Sequence, residues 1–357
     1  MEKERLERYL RYLIKHHGSD LHLKAGSVTR IRINGELFPI ERTPLSPEDV
    51  EALAKTILTA SQYEQLVIEK EFDHSYALDA TSRFRANLFY QFNGLSIVLR
   101  AIPATIPSIQ ELSLPPSVEE FATHQHGLIL VTGSTGSGKS TTVASLINRI
   151  NQSYRRHIIT IEDPIEYVFR EDKCIISQRA IGENSHSFER ALTAAFREDF
   201  DVLFIGEIRN LETMQIAMHA ANTGHLVLST LHTQGSVEAI GRIINMFPTE
   251  DHEQVRATLA QVLRGIIAQR LVKDKNDQRK PAVEILKNTS RIADMIAQGR
   301  DNEIHDAIAK GAHSYGMQTN DQALVQLYQQ GYITQGEMLA HANSPTDIRL
   351  IISGISS

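Results

Sequence analysis

HGLILVTGSTGSGKSTTVASLINRI, residues 126–150, is the stretch on which the reading of this chain turns. Leu128–Val131 is a short apolar run with the character of a buried strand. Gly133-Ser134-Thr135-Gly136-Ser137-Gly138-Lys139-Ser140 then fits G-x-x-x-x-G-K-[ST], and Thr141 to Ile150 carries apolar residues at helical spacing. Strand, glycine-rich turn and helix in that order are the context in which this motif cradles phosphates. The glycines let backbone N–H groups turn inward on phosphate oxygens. The helix N-terminus adds partial positive charge. Lys139 is expected to reach the β- and γ-phosphates, and the Ser140 hydroxyl to ligate Mg²⁺. ATP with Mg²⁺ is the expected ligand.

The rest of the chain has the composition of an ordinary soluble globular protein. It has 357 residues, 41% hydrophobic and 22% charged, which is enough for two or three domains. No apolar run reaches about 18 residues, so no membrane span is expected. The charged start MEKERLERYLRYLIKHH does not fit a signal peptide, and cytoplasm is the default. A single cysteine, Cys174, excludes an internal disulfide or a multi-cysteine zinc site. The net charge of −6, without a Lys/Arg block, counts against nucleic acid as a partner.

Before the phosphate-loop stretch, Leu6, Leu10, Leu13 and Ile14 predict an amphipathic helix that stops near Gly18. Alternating apolar residues from Asp20 lead through a hairpin marked by Asn34-Gly35. Ser46 or Pro47 opens a helix. A second hairpin is expected to turn at Asn93-Gly94, opposing Phe92 with Leu95, Tyr90 with Ile97 and Leu88 with Leu99. One of its faces is apolar. The other holds Arg83, Arg85, Asn87, Gln91, Ser96 and Arg100, with Arg100 opposite Asn87. No carboxylate of the hairpin answers these arginines. They suit either an external polyanion or acidic partners from elsewhere in the chain.

The proline-rich residues 103–117 read as a linker between a domain at 1–102 and one at 118–290, with a helical region at 291–357. In the second domain strands alternate with helices, implying a covered parallel sheet. Ligands of such a sheet sit beyond the C-terminal strand ends. Those ends carry Glu162-Asp163, Gly206-Glu207 and His232. A positioned water must attack the γ-phosphate, so a carboxylate is required. Glu207 is expected to polarise that water, and Glu162 and Asp163 to hold the metal's outer shell or share the water. His232 fits a γ-phosphate sensor. His225, seven residues earlier on the same strand, fits less simply and reads equally as structural. Arg197 and Arg209 are phosphate or interface candidates, with surface ion pairs as the alternative.

These motifs together resemble the secretion ATPase superfamily and, within it, the type IV pilus retraction ATPases that drive twitching motility. The likeness runs from SDLHLKAGS and the INGEL hairpin through GSTGSGKSTT, IITIEDPIEYVF, DVLFIGEIR and TGHLVLSTLHT to a tail with GMQT. The resemblance implies an α/β fold: a PAS-like N-terminal α+β domain, then a RecA-like parallel-sheet domain and a helical tail. It implies a homohexamer that binds ATP and Mg²⁺, is peripheral at the inner face of the inner membrane, and works through a pilus platform protein, with a second retraction ATPase as a further partner. By match, Arg85 and Arg100 close onto the phosphates. Gly133 to Thr141 form the phosphate loop, and Glu207 is the catalytic glutamate. Glu162, Asp163 and Glu166 fall in the aspartate box, and His225 and His232 in the histidine box. Assembly or secretion ATPases of the same superfamily are the alternative, and a RecA-like nucleic-acid motor or a non-hydrolysing scaffold the more distant ones. The absent four-cysteine zinc element counts against the assembly type. Three departures from the family pattern stand out: Phe200 replaces a proline, Asn210 replaces an aspartate, and the AIRNLIRE tail motif, which is associated with retraction, corresponds to Ile292–Gln298 with both its arginines absent, Ala293 and Ala297 standing in their places.

Overall fold

Alternating apolar strands in the first hundred residues and buried apolar strands after residue 126 build two separate sheets. The computed structural model describes residues 2–33, 35–79, 82–103 and 105–352. It divides into two compact units, residues 1–105 with 166–168, and residues 106–165 with 169–357.

The first unit has six strands: β1 (Asp20–Lys24), β2 (Arg30–Ile33), β3 (Glu36–Pro39), β4 (Glu71–Ala77), β5 (Arg83–Gln91) and β6 (Gly94–Ile102). Their order is β3-β2-β1-β6-β5-β4, with every neighbouring pair antiparallel. Helices Glu2–Lys15, Pro47–Ile57 and Ala60–Glu69 complete it. Leu6, Leu10 and Leu13 of the first helix are buried in a core with Leu21, Leu53 and Leu88. Ile14 does not join them and is 41% exposed; Tyr9 is buried instead. Ser46 caps the second helix in a reciprocal box with Asp49, and Pro47 follows as its first residue. Of the first hairpin's turn, Asn34 lies outside the described residues; Ile33 pairs with Glu36 and Gly35 has φ +89°.

The second hairpin corrects the expected register. Gln91 pairs with Gly94, so the loop is Phe92-Asn93 and Tyr90 faces Leu95, Leu88 faces Ile97, and Arg85 faces Arg100. Gly94 has φ +112° as the first residue of β6, whereas Asn93 does not take a positive φ. Phe92 stands fully in solvent at the tip. The shift is two residues, an even number, so each side chain keeps its expected face. What changes is the neighbour: Arg100 lies across from Arg85 and not from Asn87.

In the second unit the strands are β7 (Gly127–Thr132), β8 (His157–Glu162), β9 (Ile175–Ala180), β10 (Val202–Ile205), β11 (Leu226–Leu231), β12 (Leu263–Lys273) and β13 (Arg279–Lys287). Their order is β13-β12-β7-β11-β10-β8-β9. All neighbours are parallel except β12 and β13. The four central strands β7, β11, β10 and β8 are almost wholly buried, as strands covered on both faces must be. Sequence periodicity missed β9, β12 and helix His252–Val262. That helix runs directly into β12 at Leu263 with no glycine or proline between them, so one apolar stretch hides the change of element. From Ser290 the chain is helical, broken near Gly299, Gly316 and Gly331, each at positive φ. Its last helices bring Leu324, Ile333, Met338 and Ile348 into a small core with Val272 of β12 and Ala282 of β13.

Candidate active site

The sheet order sets the C-terminal tips of β7, β11, β10 and β8 side by side. These tips carry, in turn, the glycine-rich loop, His232, Glu207 and Glu162. The motif residues, scattered over a hundred positions of sequence, are therefore spatial neighbours along one edge.

The loop itself leaves no choice of residue at two positions. A Cβ on Gly133 would collide with the Gln269 carbonyl and the Ser137 hydroxyl, and one on Gly138 would stand 2.7 Å from Gln269 Nε2; both glycines have positive φ. Lys139 opens helix Lys139–Ser153 and is only 8% exposed. Its Nζ donates to the carbonyls of Gly133 and Ser134, both at 2.9 Å, so the ammonium is held inside the loop that precedes it. Ser137 Oγ is buried and has no hydrogen-bond partner among the described residues, a polar atom of the kind a phosphate oxygen satisfies. Ser134, Thr135 and Gly136 face solvent, and Ser140 and Thr141 are partly exposed in the first helical turn. Donors, an enclosed cation and a helix N-terminus together fit a triphosphate.

Glu207 sits at the centre of a short network. Its Oε2 accepts from His232 Nε2 at 2.8 Å, and its Oε1 is paired with Arg209, which also lies 3.9 Å from Asp163. Burial pushes the Glu207 carboxyl up, but the hydrogen bonds and charges of Arg209 and His232 outweigh it and hold the group below its ordinary range. Arg209 is thus paired with carboxylates, as in the ion-pair alternative to its phosphate or interface role. Glu162 is 5% exposed and accepts from Thr160 Oγ1 at 2.6 Å, while Asp163 is more open. Among the described residues no group of three His, Cys, Asp or Glu side chains could hold a metal by itself. A Mg²⁺ here would take Ser140, phosphate oxygens and water.

His225 is placed elsewhere. It precedes β11, level with Gly127, whose amide donates to its carbonyl, at the end of the sheet opposite the phosphate loop. There its ring stacks on Phe200 at 4.3 Å. Within this chain it cannot reach the loop, and the Phe200 that departs from the family pattern is its packing partner. Arg197 is exposed near the same end. Glu166 groups with the first unit.

Arg85 and Arg100 of the first unit lie opposite each other on β5 and β6. Arg100 Nε donates to Asp20 at 2.8 Å and Arg85 Nε is 3.5 Å from Asp73. Of the two readings of the arginine face, acidic partners from neighbouring strands are present. Burial raises the Asp20 carboxyl, but Ser19 and Arg100 bring it below its usual value.

No sequence pattern points to Gln269. It is 4% exposed on β12, accepts from Thr142 Oγ1 at 2.7 Å and walls both ends of the loop. Nothing in its apolar surroundings marks it, because its importance comes from a neighbouring strand. Asn210, in the place of an aspartate, caps helix Leu211–Asn222 by accepting from Thr213 N at 2.9 Å. An aspartate would do no more at that position.

Residues 3–345 match the family described as type II/IV secretion system protein. The type IV pilus ATPase PilU of Pseudomonas aeruginosa is 41% identical over 97% of this chain and 91% of that protein. The type IV pilus retractation ATPase PilT of the same organism is 38% identical over 94% of this chain and 97% of that protein. Among solved structures, the pilus retraction motor PilT with bound ADP superposes with a TM-score of 0.89 at 42% identity, covering 95% of this chain and 97% of that one. The ATPase DotB of Legionella pneumophila gives 0.82 at 27% identity, over 99% and 96%.

Proposed function

The chain belongs to the type II/IV secretion system protein family, among its type IV pilus retraction ATPases, and on that premise we propose that it is an ATP-hydrolysing motor that works on a pilus. The observation that carries this is the enclosed Lys139 in its glycine loop, one strand from His232 and two from Glu207. The loop amides, Lys139 and Ser140 take the phosphates and the metal. Bound Mg²⁺ supplies charge neutralisation at the phosphates. Glu207, held ionised, accepts a hydrogen bond from the attacking water. A carboxylate held below its ordinary pKa is a weak base, so its part is to orient the water more than to remove its proton early. His232 bridges Glu207 to the γ-phosphate position. Arg85 and Arg100 exchange Asp73 and Asp20 for phosphate oxygens during turnover.

The working form is a homohexamer at the inner face of the inner membrane, acting through a platform protein. Among the described residues no helix is long and apolar enough to cross a membrane. Nucleic acid is not a partner. In helix Ser290–Ala297 the buried positions Ile292, Met295 and Ile296 are kept while Ala293 and Ala297 stand where the tail motif has arginines. Packing is retained there and two charges are gone. Phosphate release from ATP by the assembled enzyme, abolished in Glu207→Gln with ADP binding kept, tests the enzyme. Deleting the gene tests direction: excess non-retracting pili support retraction, and bald cells overturn it in favour of assembly.

A further inference from the structure

Successive side chains of a strand point to opposite faces, and β12 uses this at Gln269 and Arg270. Gln269 touches both ends of the phosphate loop: its carbonyl lies against Gly133, its Nε2 against Gly138, and its Oε1 accepts from Thr142 in the first helical turn. Arg270 faces the other way. It donates to the His341 carbonyl at 2.9 Å and to Asn343 Oδ1 at 2.8 Å. The same short loop is tied down by Asp321, which accepts from the amides of Asn343 at 2.7 Å and Ser344 at 2.8 Å. One residue of β12 thus grips the phosphate loop, and the next grips the terminal helices. Those helices pack in a core that also holds Val272 of β12 and Ala282 of β13, so the same strand meets them through apolar contact as well. A cavity of about 780 Å³ lies between them and the loop, lined by Gly133–Ser137 on one side and Glu337 and His341 on the other.

We propose that Gln269 and Arg270 carry nucleotide occupancy from the phosphate loop to the C-terminal helices, Gln269 as the positioning residue and Arg270 as the outlet. The inference rests on the loop being a nucleotide site. Its physical basis is the absence of slack. Lys139 Nζ is bonded to the Gly133 carbonyl. A phosphate draws that nitrogen toward itself, and Gly133 has no room to move without moving Gln269. Packed interiors transmit such shifts because they do not compress. Arg270 is bonded into the same strand, so a shift of β12 there reaches the loop His341–Ser344.

Amide hydrogen exchange of the full chain, with and without saturating ADP, tests this. ADP is expected to slow exchange at Asn343 and Ser344 about fivefold or more, as local opening of that loop becomes harder. In Gln269→Leu, ADP affinity should fall by no more than roughly tenfold for the lost buried hydrogen bond, and the slowing should vanish. Should Gln269→Leu fold poorly, Arg270→Gln serves: ADP affinity as in the native chain, slowing lost. Unchanged exchange at Asn343 and Ser344 on ADP binding overturns the proposal, as does slowing that survives in a folded variant. If calorimetry shows no ADP binding to the native chain, the nucleotide reading itself falls and takes this inference with it.

Discussion

Lys139 and the pair Arg85 and Arg100 are cations with the same proposed destination, held in opposite ways. Lys139 is 8% exposed and anchored at 2.9 Å by two carbonyls of its own loop. The side chains of Arg85 and Arg100 are 45% and 69% exposed and are steadied by carboxylates from β4 and β1. A buried ammonium in a rigid loop is preorganised, and its charge acts at low dielectric. The Arg85–Asp73 pair is exposed on both sides, and such a pair contributes only about 0–1 kcal/mol and is easily traded for another anion, whereas Arg100 is held by a carboxylate that is itself buried. The difference teaches that Lys139 is committed to its own loop, while Arg85 and Arg100 are open to borrowing by another anion.

The sharpest way to break this comparison is Lys139→Ala. It should reduce ATP turnover on the order of 10³-fold, measured as phosphate release; a loss no larger than that of Arg85→Ala would erase the distinction. Glu207→Gln should cost about 10²-fold or more in turnover while leaving ADP affinity within a few-fold, because the amide keeps the shape but orients water poorly. Arg85→Ala and Arg100→Ala should each cost about tenfold, in the assembled ring only and less at high salt, as expected for exposed charges. An equal fold loss for Arg85→Ala in the assembled and the dispersed state, each against the native chain in that state, would count against the borrowing.

Two smaller effects follow from pH. Glu207 has its pKa lowered, so it stays charged as pH falls through the ordinary carboxylate range near 4.3. Turnover should therefore hold down to about pH 5 wherever the fold does. Arg209→Ala removes a lowering partner while burial remains, and should move the acid limb upward; an unmoved limb would mean that Arg209 does not set the Glu207 charge. Asp20 also titrates below its usual value. Its stabilisation is present above the ordinary carboxylate pKa near 3.9 and is lost as pH falls through the lower, folded value. Asp20→Asn should thus cost about 1–2 kcal/mol at pH 7, with the difference shrinking as pH falls below the ordinary carboxylate range. Urea midpoints at neutral and acid pH measure it.

Legibility followed the range of the interactions. Gly133 to Ser140 could be read because every requirement of a phosphate loop is local: glycines for φ, a lysine, a hydroxyl and a following helix. Glu207, Glu162 and His232 could be placed because parallel strands bring their C-terminal ends to one edge, a rule of topology that needs no coordinates. The arginine face survived a wrong register because the side-chain period is two, yet Arg85 opposite Arg100 was out of reach of a turn signal read at Asn93-Gly94. His225 was drawn toward the site by its motif. The strand direction places it at the far end, against Phe200.

The amino-acid order by itself determined the loop chemistry, the alternation of strand and helix, and which face of the second hairpin is charged, since each depends on residues a few positions apart. Tertiary structure alone decided that Gln269 walls the loop, that Arg209 pairs with Glu207, and that Asp20 and Asp73 answer the arginines. Those are contacts between strands distant in sequence. Their partners are chosen by strand order and register, which no local pattern encodes.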